Sequence, residues 1–185
     1  MILRASDIAC ARGGRQIFAN FTLILNAGES VLLQGPNGVG KSSLLRLVSG
    51  LICCNKGIIE NRERVALADE HLALDTGKRL GDALGFWARI DGVEQAPLDA
   101  ALAHFALKPL ADIPVRMLST GQRKRAILAR VMASGAALWL LRETGWTVLR
   151  LRRWARRWMR IWQAAGQSSL HRISTCHMIS RAGST

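Results

Sequence analysis

The sequence predicts an α/β fold, and three observations carry that reading. Residues 30–34 (S-V-L-L-Q) form a short apolar run that leads into G-P-N-G-V-G-K-S at 35–42 and then into the helix-patterned S-L-L-R-L-V-S-G. Residues 136–141 (A-A-L-W-L-L) form a second, continuous apolar run, as a strand buried on both faces of a mostly parallel sheet requires. Between the two runs lie segments whose apolar residues recur at helical spacing.

Strand, loop and helix in that order make a phosphate-binding loop. Residues without a Cβ tolerate the φ/ψ values that turn backbone N–H groups inward around an anion, which is the work of Gly35, Gly38 and Gly40. The helix that follows adds the positive end of its dipole. Lys41 is placed to reach β and γ phosphates, and Ser42 to put its hydroxyl on Mg²⁺.

Before this loop, residues 3–10 and 16–25 alternate apolar and polar side chains around the turn R-G-G-R, predicting two strands. Residues 26–29 (N-A-G-E) are a further turn. After the loop, a helix over 43–48 stops near Gly50, and 57–60 and 65–68 read as short strands. Leu80, Ala83, Leu84, Trp87 and Ala88 predict one helix over 79–89, and 97–105 a second, with Trp87 and Phe105 as core residues. Residues 117–130 (M-L-S-T-G-Q-R-K-R-A-I-L-A-R) place Ser119 and Gly121 at the start of a third. Ser119 can cap it, Gly121 can offer an N–H to an anion, and Arg123, Lys124 and Arg125 would form a solvated basic face.

A chain of 185 residues suits one such domain. The net charge of +13 is uneven: residues 1–141 hold 17 Lys and Arg against 12 Asp and Glu, residues 142–185 hold 9 against 1. Four of six tryptophans also fall in that last part. The chain changes character after Leu141, so the total charge does not by itself predict a nucleic-acid partner. There is no 18-residue apolar run and no signal-peptide pattern at the start, and four cysteines (Cys10, Cys53, Cys54, Cys176) lack metal-ligand spacing. A cytoplasmic chain with reduced thiols is expected.

The loop at 35–42, L-S-T-G-Q-R-K-R at 118–125 and the apolar strand after them resemble the ATP-binding subunits of ABC transporters over residues 1–141. R-G-G-R-Q-I-F, G-P-N-G-V-G-K-S-S-L-L-R, L-G-F-W-A-R and L-W-L-L resemble one family among them, the haem exporter ATP-binding subunits of cytochrome c maturation, or CcmA. The resemblance implies a P-loop NTPase of the ABC type, with an antiparallel β subdomain, a helical subdomain inserted at about 79–130, and part of the C-terminal core missing. It implies that Gly35, Pro36, Asn37, Gly38, Val39, Gly40, Lys41, Ser42 and Ser43 hold ATP with Mg²⁺ on Ser42. Leu118, Ser119, Thr120, Gly121 and Gln122 would cap the γ-phosphate bound by a second, identical subunit. It further implies membrane permease subunits as partners and a peripheral place on the cytoplasmic face of the inner membrane. Arg12 falls where relatives stack an aromatic ring on adenine, and His71 near the usual loop glutamine.

The resemblance stops after Leu141, where the family has D-E-P, then G-L-D and a histidine, for magnesium and the attacking water. This chain continues R-E-T-G-W-T-V-L-R-L-R-R-W, and Glu143 is its one remaining carboxylate. Residues 142–148 can be written CGA GAA ACG GGC TGG ACG GTN. With a C in front, the same letters regroup to P-R-N-G-L-D-G, and the aspartate is forced because any Trp-Thr pair contains GAC in that register. The sequence therefore predicts that a small deletion removed D-E and shifted the frame, leaving 142–185 an out-of-frame tail, strands missing from the sheet and hydrolysis crippled. Two other classes remain open. One is an ABC ATPase for a different permease. The other is a non-enzymatic basic protein on membrane or nucleic acid, with Leu151, Trp154, Trp158, Ile161 and Trp162 as the apolar stripe of an arginine-rich helix. His171, Cys176 and His177 are weak metal candidates.

Overall fold

The computed structural model describes residues 1–27, 29–68, 74–143, 146–151 and 174–177. It divides into two units, one made of Met1–Leu67 with Ala137–Thr185 and the other of Ala68–Ala136.

The first unit opens with two long strands, β1 (Leu3–Arg12) and β2 (Arg15–Leu25), paired antiparallel across the Gly13–Gly14 turn. Alternation along β1 sends Leu3, Ala5, Ile8 and Cys10 inward, all at 1 % exposure or less. β3 (Ser30–Gln34) then runs into the loop and α1 (Lys41–Val48). β4 (Lys56–Asn61) returns to the free edge of β1, giving a three-stranded sheet in the order β2-β1-β4, and β5 (Val65–Ala68) follows. β1 bulges between Ser6 and Ala9 against β4, and Gly57 lies opposite the bulge with φ +86°. The exposed Lys56–Asp7 ion pair at 2.9 Å beside it adds little.

A five-stranded sheet, in the order β5-β6-β7-β3-β8, contains β6 (Leu138–Glu143), β7 (Trp146–Leu151) and β8 (Ser174–His177). Leu138, Trp139 and Leu140 are all buried, as a strand covered on both faces demands. Turning back after Glu143, the chain pairs β7 antiparallel to β6 and to β3, while β8 lies parallel to β3. This corrects the expectation of an uncovered sheet: two stretches of the tail sit in it. The reason is local, since W-T-V-L-R-L is rich in β-branched and apolar residues. Leu151 ends β7 rather than starting a helical stripe, and residues 152–173, with Trp154, Trp158, Ile161, Trp162 and His171, lie outside the described residues, as does His71.

In the second unit α2 (Leu80–Ile90), α3 (Gln95–His104) and α4 (Thr120–Ala133) pack on one another. α3 starts two residues before the expected Pro97, which its first turn accommodates because that N–H has no helical partner anyway. Phe105, Leu98 and Leu84 are fully buried, as expected. Trp87 is only half-buried; the Arg130 guanidinium lies 3.7 Å from its ring centroid, and burial lowers the Arg130 pKa while Asp91 raises it.

Candidate functional site

The glycine-rich loop at 35–42 follows β3 without interruption, and its residues divide by burial. Gly35, Pro36, Asn37 and Gly38 are exposed, Val39 and Gly40 are buried, Lys41 and Ser42 are half-buried and Ser43 is buried again. The loop is thus anchored at its far end and open along its rim. Gly40 is the N-cap of α1, with φ +109° and no side-chain cap. The first N–H groups of a helix have no intrahelical partner, so a capless start leaves them for an anion.

Lys41 folds back over the loop, its Nζ donating to the carbonyl oxygens of Gly35 at 2.6 Å and Pro36 at 3.0 Å. This holds the ammonium over the Gly35–Pro36 end of the loop. A triphosphate at the uncapped start of α1 would lie near this ammonium. The residues fit ATP with magnesium in the same sense: Ser42 presents a hydroxyl at the loop's end, and a hard cation takes oxygen from it and from phosphate. Among the described residues no cluster of three or more His, Cys, Asp or Glu could hold a metal by itself.

Behind the loop lies a wall that the sequence did not reveal. An atom in the Cβ position of Gly40 would stand 2.6 Å from Ile17 Cγ2 and 2.9 Å from Phe18 Cδ1, so β2 is in direct contact with the loop backbone. Cys10 pairs with Phe18 across the ladder and lies beside Ser43. Burial pushes the Cys10 thiol up from its ordinary 9.0, against Arg12 and Ser43, which pull it down, and with a small push from Cys54. A folded chain that holds this proton more tightly loses stability as pH rises past the unfolded value. Thermal melts between pH 8 and about pH 10.5 should therefore fall more steeply for the natural chain than for Cys10→Ala, and the absence of tyrosine from the sequence keeps that window free of phenol titration.

The second anion-ready segment starts α4. Ser119 Oγ accepts from the Gln122 N–H at 3.2 Å, and the Ser119 N–H donates to Gln122 Oε1 at 2.7 Å, a reciprocal capping box. Leu118 is buried, whereas Ser119, Thr120 and Gly121 are exposed. The basic residues after them are not the solvated face expected. Arg123 is half-buried and donates to the Arg116 carbonyl at 2.8 Å, and Arg125 donates to the Phe105 carbonyl at 3.1 Å, where the C-terminal end of α3 favours a cation. Arg12 ends β1 exposed, opposite Arg15.

The family profile described as ABC transporter matches residues 18–144, which span the loop and the α4 cap. This chain belongs to the ABC transporter ATP-binding family. Curated relatives named cytochrome c biogenesis ATP-binding export protein CcmA place it in that branch. The protein from Sphingopyxis alaskensis is 50% identical over 77% of this chain and 74% of its own length, and that from Novosphingobium aromaticivorans 55% identical over 76% and 71%. A third, from Rhodopseudomonas palustris, is 35% identical over 96% of this chain and 86% of its own, so its alignment extends past residue 144. The fold matches a solved structure titled an ATP binding subunit of an ABC transporter at TM-score 0.69 and 20% identity, covering 76% of this chain and 65% of that one. An inward-facing metal-chelate type ABC transporter matches at TM-score 0.68 and 24% identity, covering 76% and 59%.

Among the described residues no helix is long and apolar enough to cross a membrane.

Proposed function

We propose that this chain is the nucleotide-binding subunit of an exporter serving cytochrome c biogenesis, with haem as the cargo its family resemblance implies. In this reading it works as a homodimer on membrane permease subunits, at the cytoplasmic face. Gly35 to Ser43 hold ATP, Ser42 meets magnesium, and the exposed Ser119, Thr120 and Gly121 close on the nucleotide of the second subunit. The observation that carries the reading is the loop itself, with a capless α1 behind it and Lys41 folded over its rim. Lys41→Ala should raise the Kd for ATP about ten- to a hundredfold, from loss of a charged hydrogen bond worth about 1.5–3 kcal/mol. Fluorescent-nucleotide titration with magnesium checks it, and equal affinity in both proteins would refute the reading.

Binding and turnover separate here. β6 ends at Glu143 without the carboxylate pair of the family, so turnover is proposed to lie on the order of 10²–10⁴ below that of members that carry it. The proposed cause is the frame shift that makes 142–185 an out-of-frame tail. A second reading keeps the tail in frame, favoured by the alignment that runs past residue 144 and by the pairing of β7 and β8 with β3. Resequencing codons 138–150 decides between them: D-E-P and G-L-D in frame would mean an ordinary ATPase, G-L-D in a shifted frame a real deletion, and no G-L-D in any frame a tail of its own.

A further inference from the structure

We propose that Ile17 and Phe18 of β2 are positioning residues for the nucleotide, a rear wall that fixes where the loop's N–H groups and Lys41 point. The inference rests on the nucleotide-binding reading of the loop and goes beyond it to residues that precede the loop by some twenty positions.

The turn into α1 is the part of the loop whose direction matters most to a bound phosphate, because the helix's free N–H groups and Lys41 leave from it. It has no side-chain cap to fix it. What meets it instead is β2. The Ile17 methyl and the Phe18 ring stand so close to Gly40 that a Cβ there would overlap both, at 2.6 and 2.9 Å. Neither is loosely held. Phe18 is 5% exposed and packs on the Phe21 ring, with centroids 5.9 Å apart. Cys10, the ladder partner of Phe18, lies near enough to Ser43, three residues past Gly40, for the hydroxyl to act on its thiol. One rung of the β1–β2 ladder therefore carries both the ring that meets Gly40 and the thiol beside Ser43. Val39 and Leu44, on either side of the turn, are buried in the same core cluster as Phe18. A site whose supporting side chains are locked by packing keeps its donors in the geometry the ligand needs, and small displacements of such donors are costly.

The wall also explains the requirement at position 40 in steric terms. Glycine is needed there for its left-handed φ and because β2 occupies the space a side chain would take. Trimming the wall opens room behind the turn, and the loop relaxes into it.

The test is ATP affinity by fluorescent-nucleotide titration on the full chain, with thermal melting recorded for each protein. Ile17→Ala, at a half-buried position, should raise the Kd on the order of tenfold, and Ile17→Val should restore most of it. Phe18→Leu should act in the same direction. Leu23→Ala, in the same strand and core but away from the loop, is the control for plain loss of stability, and should lower the melting temperature while leaving the Kd unchanged. Natural-chain affinity with unchanged Kd in Ile17→Ala and Phe18→Leu overturns the wall alone, as does a Leu23→Ala variant that loses as much affinity as Ile17→Ala. If the natural chain itself binds no ATP, the nucleotide-binding reading falls and takes the wall with it. If Ile17→Ala fails to melt cooperatively, Ile17→Val decides: it should show a smaller Kd increase in a folded protein, and an unchanged Kd overturns the proposal.

Discussion

A chain ending at Glu143 should fail to fold, giving insoluble protein or a soluble fraction with no cooperative thermal transition. The reason lies in β3, the strand that delivers the loop. Among the described residues its ladder partners are β7 on one side, from Ser30 opposite Arg150 to Leu33 opposite Thr147, and β8 on the other, from Val31 opposite Ser174 to Gln34 opposite His177. Both lie beyond residue 143. Val31, Leu32 and Leu33 are at most 5% exposed with those strands in place, so removing them bares apolar side chains as well as ladder groups. Each ladder hydrogen bond lost costs about 0.5–1.5 kcal/mol net and each Val or Leu bared about 1.5–3 kcal/mol, and together they rival the roughly 5–15 kcal/mol that holds a domain together. One outcome would overturn this. β3 and β6 are both antiparallel to β7 and hence parallel to each other, so β6 could close the gap and pair with β3 directly. A truncated chain that melts cooperatively would mean that it does, and that β7 is a wedge the sheet can do without. A chain ending at Leu151, which keeps β7 and loses β8, should fall between the two.

That dependence was not legible in the sequence, and the contrast with what was legible is physical. The loop at 35–42 could be read because everything it needs lies within eight consecutive residues: glycines, lysine and serine at fixed offsets. β1 and β2 could be read because one buried face imposes a period of two, and β6 because burial on both faces removes that period. The start of α4 was half-read. Ser119 was visible as a cap, whereas the reciprocal partner Gln122, three residues on, completes a signature the sequence does carry. Contacts between residues far apart in sequence leave no such pattern. The wall of Ile17 and Phe18 behind Gly40, Arg130 over Trp87 and Arg125 on the Phe105 carbonyl each join distant positions. Arginines in a helix count as solvated until a carbonyl elsewhere in the fold claims them. The tail illustrates the same limit from the other side, since codon regrouping tests its origin and says nothing about whether its strands pair.

Gly57→Ala should destabilise the protein by about 2–6 kcal/mol, combining about 1–3 for left-handed strain with about 1–3 for overpacking. The residue sits in β4 opposite the bulge of β1, and a Cβ there would lie 2.5 Å from the carbonyl oxygens of both Ser6 and Asp7. Those are backbone atoms of a paired strand and cannot swing aside as a side-chain end would. Relief therefore requires the β1–β4 ladder to part, and β1 is the central strand of its sheet, with Leu3, Ala5, Ile8 and Cys10 in the core. For a chain of this length the melting temperature should drop by about 5–20 °C. Gly50→Ala separates the two contributions. Gly50 has φ +74°, and nothing lies within 4 Å of a Cβ built there, so that variant bears the strain without the overlap. A Gly57→Ala protein no less stable than Gly50→Ala would show that β1 yields at its bulge, and that the close approach of the two strands is slack.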